Sequence, residues 1–246
     1  MKIPAIEGMI RRRVLLNYRI DPSAVKKILP YQSPFKFKLV GGYAIAGICL
    51  IRLEQIRPKG LPKLLGISSE NSAHRIAVDW EKKDGAPCEG VFVPRRDTDS
   101  LLNSLAGGRI FPGVHHHSDF TVVDKGGEIS MRVKAKDFEK PLLAFEAREA
   151  ETFPESSVFE SLEASSKFFE AGCIGYSSRP DSGKLDGLTL KAMRWEVSSL
   201  EVSDLESAYF DDAAIFPPGS IEFDHALLMR DIPHEWHSEP EINIVK

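Results

Sequence analysis

The sequence predicts a mainly β chain of the α+β class, a many-stranded barrel or sandwich carrying a few short helices. Three observations predict it. Short runs of apolar and β-branched residues recur along the chain, glycine and proline turn signals separate them, and only residues 157–172 carry the caps and length of a clear helix. Hydrophobic residues make up 42% of the 246 positions and charged residues 28%, which supplies a sizeable core, and we read one domain over residues 1–246.

Residues 13–20 read as the first strand. Asp21 and Pro22 then sit where an N-cap and a first helical residue belong, which predicts a short helix to about Leu29 that Pro30 ends. Residues 43–53 are a nearly continuous apolar run rich in isoleucine, the pattern of a strand buried on both faces. Residues 74–80 and 89–93 flank Lys82-Lys83-Asp84-Gly85, and the Asp-Gly pair is a hairpin signal, so the two runs are expected to pair antiparallel. Asp97-Thr98-Asp99 precedes Leu101, Leu102 and Leu105 as a helix cap would, with Gly107-Gly108 as the stop. Strands resume at 120–123 and 128–135 around Gly126-Gly127, and at 142–148 after Pro141, as a meander. Ser157 with Glu160 fits a capping box, opening a helix that Gly172 closes. Residues 188–202 alternate loosely as a strand, and Phe216-Pro217-Pro218-Gly219 marks a turn before a last strand at 220–229.

A net charge of -4 without a basic stripe argues against a nucleic-acid partner. No apolar run reaches the ~18 to 20 residues of a membrane span, and residues 1–17 lack the apolar core and cleavage site of a signal peptide. The expectation is a cytoplasmic protein with no membrane partner. Cys49, Cys88 and Cys173 are odd in number and far apart, so they read as buried free thiols, and nothing local marks one as catalytic.

The segment Gly90-Val91-Phe92-Val93-Pro94-Arg95-Arg96 resembles the glycine, aromatic residue and proline followed by two lysines of acetoacetate decarboxylases. Residues 21–30 resemble that family's early helix. Residues 42–47, 69–75, 111–116 and 232–237 resemble the DUF2071 (YqjF-like) branch of the acetoacetate decarboxylase-like superfamily, and the likeness to that branch spans nearly the whole chain. The resemblance implies a closed, cone-like antiparallel β-barrel with the active cavity inside it, and homo-oligomers are common in the superfamily. It also implies Schiff-base chemistry at the first lysine. The matching positions here are Arg95 and Arg96, and a guanidinium cannot serve as the imine-forming amine.

Two fixed positive charges suit a carboxylate, so a small organic anion is the expected partner and Arg95 and Arg96 are its candidate clamp. Alternation along a strand lets one of the two enter the cavity, and the bland reading is an ion pair with Asp97, Asp99 or Glu89. Glu70 falls in the segment where the resemblance places an active-site glutamate. With His74 and His116 it forms the candidate acid-base set, against an exposed loop glutamate and satisfied histidines. Tyr43 and Phe92, with Trp80 and Phe111, are candidates to line the cavity or else ordinary core. His115 and His117 share one strand face at a spacing a metal can bridge, but no zinc motif completes the pair, and no metal or cofactor is expected. Lys82-Lys83 reads as a solvated hairpin tip, and Gly107-Gly108 before Arg109 as a helix stop rather than a phosphate loop.

Three functional readings remain. The first is a carboxylate-binding barrel, with acid-base chemistry on a keto or enol acid and no Schiff base. The second is a non-catalytic ligand-binding or interaction protein. The third is a Schiff-base decarboxylase using a lysine elsewhere in the chain.

Overall fold

The computed structural model describes residues 5–25, 28–82, 84–101, 112–179 and 183–244. Within them, thirteen strands form one mixed sheet: β1 (Ile6–Ile20), β2 (Lys36–Phe37), β3 (Leu39–Val40), β4 (Tyr43–Pro58), β5 (Ile67–Glu81), β6 (Pro87–Thr98), β7 (His115–Lys125), β8 (Glu128–Ala135), β9 (Leu143–Ala150), β10 (Ile174–Arg179), β11 (Lys184–Ala192), β12 (Ser198–Glu206) and β13 (Ile221–Asn243). Helix α1 (Leu162–Ala171) stands between β9 and β10, and Lys63–Leu65 form a 3-10 turn.

Strand β1 runs antiparallel between β4 and β13, and β5 and β6 continue the sheet beyond β4. From β6 the pairing passes through β7, β8, β9 and β12 to β13, so the path of hydrogen-bonded neighbours returns to β1. Strands β10 and β11 make a second bridge between β6 and β13. The β6–β7 and β6–β10 ladders are parallel. The sheet is therefore mainly antiparallel, as the family resemblance implied, with these two short parallel ladders added.

The strands β1, β4, β5, β6 and β13 form a platform with two buried faces, and period-two alternation divides their side chains between them. On β4, Ala44, Ala46, Ile48 and Leu50 enter the larger core with Val14 and Leu16 of β1. Ile45 and Cys49 point the other way, to a smaller cluster with Leu15, Ala77, Phe159 and Phe169. This explains the unbroken apolar run at the start of β4: both of its faces are covered. Truncating a fully buried residue such as Ile48 to alanine is expected to cost about 2–5 kcal/mol. Gly90 sets the second bridge, because a Cβ there would lie 2.4 Å from the Ile174 carbonyl oxygen. A residue without a side chain lets β10 close against β6.

The hairpin at Asp84-Gly85 forms as predicted, with Gly85 at φ 81° and the Lys82 amide donating to the Ala86 carbonyl at 2.9 Å. Strand β8 and the glycine turn before it also match. Other elements differ. The described residues of the segment from Asp21 to Leu29 form turns rather than a helix: Asp21 accepts from the Ser23 amide and hydroxyl at 2.8 and 2.7 Å, which closes a local turn instead of capping one. Asp97 and Thr98 end β6, while residues 102–111, including Gly107-Gly108, Arg109 and Phe111, lie outside the described residues. Helix α1 begins four residues later than the Ser157 box. Ser161 is its N-cap, accepting from the Ala164 amide at 3.1 Å, and the Ser157 hydroxyl instead donates to Asp224 at 2.6 Å. Residues 188–202 split between β11 and β12, β10 is an added strand, and β13 continues past Met229 to Asn243. No helix among the described residues is long and apolar enough to cross a membrane.

Candidate functional site

The platform face opposite the larger core carries a cavity of ≈ 140 Å³. Its floor is Arg13 of β1, Cys49 of β4, Asn71 and Arg75 of β5, and Arg96 of β6. Phe169 from α1, Cys173 after it, Leu188 and Leu190 of β11, Trp195 and Trp236 cover the floor, and His115 stands at one side. Most of the wall is therefore apolar, with three guanidiniums set into it.

Among the described residues, those guanidiniums are held without acidic partners. Arg13 donates from Nε to Cys49 Sγ at 3.2 Å and lies 5.4 Å from the Trp195 ring centre. Arg75 donates to Asn17 Oδ1 at 2.6 Å and lies over the Phe169 ring at 4.5 Å, while its Nε has no protein partner among the described residues. The Nε of Arg96 likewise has none. Among the described residues no carboxylate pairs with Arg13, Arg75 or Arg96, whereas Arg11, Arg12, Arg19, Arg95 and Arg230 all make ion pairs. Asp97 is the carboxylate among the described lining residues, and it is committed to Arg95 at 2.7 and 2.9 Å and to Ser118 at 2.8 Å.

Burial is what unites these charges energetically. It pushes Arg75 down to about 10, with repulsion from Arg13 adding to the effect, and it pushes Arg96 down to about 10 as well. Both stay cationic at neutral pH because a guanidinium starts so basic. The two imidazoles beside the cations are neutral: burial and Arg96 push His115 down to about 4, and burial and Arg13 do the same to His234. The histidines near the cavity thus add no further positive charge at neutral pH.

A buried network holds Arg75 from behind. The β1–β13 register slips between Asn17 and Tyr18, which face His225 and Phe223, leaving Asp224 as the extra residue of a β-bulge. The bulge brings Asp224 Oδ2 to 2.6 Å from His225 Nδ1. With that nitrogen donating, Nε2 accepts from Asn17 Nδ2 at 3.0 Å and from the Ser165 hydroxyl at 2.7 Å, and Asn17 Oδ1 is left to accept from Arg75. Burial alone would raise the Asp224 carboxyl, but hydrogen bonds from His225, Ser157 and the Val158 amide hold it low. Ser165, His225 and Asp224 have the connectivity of a nucleophile triad, but Ser165 has no exposed surface, and Phe153, Phe159 and Phe169 stand around the imidazole. The chain of bonds orients Arg75; it presents no nucleophile.

The sequence-predicted residues divide between the two faces. Arg96 lines the cavity. Arg95 faces the other way and pairs with Asp97 and with Asp137, at 2.5 and 2.9 Å for the latter. Glu70 lies on that same face, bound to Arg12 at 2.7 Å; burial raises its carboxyl against the lowering pull of Arg12. His74 is opposite Arg95 in the β5–β6 register, 4.1 Å from the Tyr209 ring centre, and burial and then Arg95 push it down to about 3. His116 is partly exposed, 3.8 Å from Asp137. Tyr43 is exposed beside Arg19, and Phe92 packs in the larger core 6.3 Å from Phe35. Glu70, His74, His116, Tyr43 and Phe92 are therefore not among the described residues lining this cavity. The reason is register: 71, 73 and 75 of β5 face the cavity and 70 and 74 do not, and a ladder irregularity between His74 and Ile76 shifts the alternation of β6. Arg13, Arg75, His115 and Cys49 line this cavity together with Arg96. No group of three or more metal-ligating side chains gathers among the described residues.

The DUF2071 family model, described as an uncharacterised conserved protein, matches residues 8–229. A search of curated proteins finds no match. Among solved structures, acetoacetate decarboxylase from Legionella pneumophila is similar with a TM-score of 0.63 at 13% identity, over 100% of this chain and 89% of that one. An acetoacetate decarboxylase-like enzyme from Sphingomonas wittichii RW1 is similar at 0.60 and 11%, over 99% and 95%. The enduracididine biosynthesis enzyme MppR, in complex with pyruvate, is similar at 0.59 and 11%, over 100% and 91%. At such identities the likeness is one of fold. The fold is that of the acetoacetate decarboxylase-like proteins, and the chain belongs to the DUF2071 family.

Proposed function

We propose that the cavity binds a small organic carboxylate, with Arg96, Arg75 and Arg13 supplying the positive field and the indole and leucine side chains excluding water. One observation carries this reading: three buried guanidiniums share a small cavity without a carboxylate partner among the described residues. Leaving a charge uncompensated in a low-dielectric site costs several kcal/mol, and an anionic ligand removes that cost. The size limits the ligand. At ≈ 140 Å³ the cavity is well below the ~300–1,000 Å³ of sites for drug-sized molecules, so an acid of a few heavy atoms fits and a nucleotide does not. The likeness to MppR, whose complex holds pyruvate, favours a 2-oxo acid within this class.

The same field favours any bound form in which negative charge develops, an enolate included. No lysine is among the described lining residues, which favours binding without an imine over the Schiff-base reading. Thermal unfolding with pyruvate, other small keto and hydroxy acids, and the uncharged pyruvamide tests the proposal. A carboxylate present at about 100 times its dissociation constant stabilises the native state by roughly 2.7 kcal/mol. For a chain of this size, that raises the midpoint by several degrees, at roughly 2–4 °C per kcal/mol. Pyruvamide is expected to give no such rise. A folded protein whose midpoint moves with none of the acids contradicts the reading.

A further inference from the structure

The sulfur of Cys49 lies on the cavity floor, among the same cations. We propose that Cys49 is the nucleophile of this site, adding its sulfur to an electrophilic carbon adjacent to a bound carboxylate, such as the carbonyl carbon of a 2-oxo acid. The inference rests on the carboxylate-binding reading. In the step, the S–C bond forms as the carbonyl π bond opens, and the thiol proton ends on the former carbonyl oxygen. The product is a hemithioketal that reverts to thiol and keto acid without any other reactant.

Three features lead to this assignment. First, position: Cys49 is 6% exposed, and it shares the cavity with Arg13, Arg75 and Arg96. Second, orientation: the Arg13 Nε–H reaches Sγ at 3.2 Å, which fixes the sulfur beside the cation that would hold the carboxylate. Third, the cavity has an independent signature of an anionic guest. Arg75 is 6% exposed, and among the described residues it has no ion pair and its Nε has no protein partner, while its other end is anchored on Asn17. An acid drawn to these guanidiniums brings the carbon next to its carboxylate close to the sulfur, and proximity of that kind is the main contribution a site makes to such an addition. Cys173 also lines the cavity, and there burial raises its thiol, which leaves less of it as the reactive thiolate. Cys88 lies outside the cavity beside Pro87 and Glu89.

Iodoacetate is a direct probe, because its reactive carbon is adjacent to a carboxylate; alkylation forms the S–C bond, iodide leaves with the C–I bonding pair, and the thiol proton passes to solvent. The native protein is treated with iodoacetate or with neutral iodoacetamide, and peptide mapping follows each cysteine over time, with pyruvate thermal shifts measured on the same preparation. Exposure alone predicts that Cys88 and Cys173, both more accessible than Cys49, react first with either reagent. The proposal predicts the reverse order for iodoacetate. Cys49 should be labelled first, its iodoacetate-to-iodoacetamide rate ratio should exceed that of Cys88 by at least tenfold, and pyruvate should slow its labelling. If pyruvate raises the unfolding midpoint but Cys49 lags behind the other two with both reagents, the nucleophile assignment is overturned and carboxylate binding stands. Absence of both the thermal shift and the labelling preference overturns the two together.

Discussion

Arg95 and Arg96 are neighbours on one strand, and they show two ways a protein handles a buried cation. Arg95 faces the larger core and is neutralised twice, by the fully buried Asp97 and by Asp137, and it stacks 5.0 Å from the Phe138 ring centre. Arg96 faces the cavity with Arg13 and Arg75, and no carboxylate among the described residues answers any of the three. The first arrangement spends its charge inside the fold. The second, on the proposed reading, leaves charge available to a ligand. Residue type and burial alone do not separate the two; the accounting of partners does.

The sharpest way to break this contrast is on the paired side. Asp97→Ala leaves Arg95, among the described residues, with the half-exposed Asp137 as its remaining ion-pair partner and strips Ser118 of its acceptor, so urea unfolding should show a loss of about 3 kcal/mol or more. Asn17→Ala probes the support of the cavity side: it removes the acceptor of Arg75 and a donor to His225, and the expected loss is about 1–3 kcal/mol, with carboxylate affinity falling as Arg75 loses its anchor.

The pH dependence follows from the buried imidazoles. His74 is pushed down to about 3 and His234 to about 4, both by burial first. Between these values and the unfolded value near 6.5, the unfolded chain binds more protons than the native one. Stability contributed by these groups is present above about pH 6.5 and is lost as pH falls, with a slope of up to about 1.4 kcal/mol per pH unit for each histidine. His74→Phe should flatten the stability curve between about pH 6 and 4 by up to one such increment. An unchanged slope in that variant would mean that His74 does not titrate as its surroundings imply.

The smallest effect, and the opposite sign, is expected of Arg96→Met. Replacing an uncompensated buried cation by an apolar side chain of similar length should leave stability unchanged or raise it by about 1 kcal/mol. A loss as large as that of Asp97→Ala would show Arg96 to be structural after all.

Much of this architecture is readable from local chemistry. Asp84-Gly85, Gly126-Gly127 and the doubly apolar run at the start of β4 each dictate their own geometry, and the structure keeps them. The misread elements are those whose local signal is spent elsewhere. Asp21 closes a turn onto Ser23, and Ser157 serves Asp224 across the chain, so neither caps a helix. Strand β13 runs through Pro233 and Pro240, residues that mark an edge or an end when read alone, and it bends at Asp231 where φ is 52°. For the proposed site, the dibasic pair lies on β6, and Arg96 of that pair lines the cavity. Alternation along β5 separates Arg75 from Glu70 and His74, but which face becomes the cavity depends on where β10, β11 and α1 settle. Arg13 and Cys49 meet only through the β1–β4 pairing, where they face Ile51 and Leu15 respectively. No spacing within either segment could reveal that contact.

Calorimetric titration of pyruvate into the wild-type protein and into Arg96→Met, with pyruvamide as the uncharged control, tests the central claim most directly. Saturable binding of pyruvate to the wild type, at least tenfold weaker in Arg96→Met and absent for pyruvamide, is the predicted result. Binding of pyruvate with equal affinity to both proteins, or equal binding of acid and amide, would contradict the assignment of this arginine cavity as a carboxylate site.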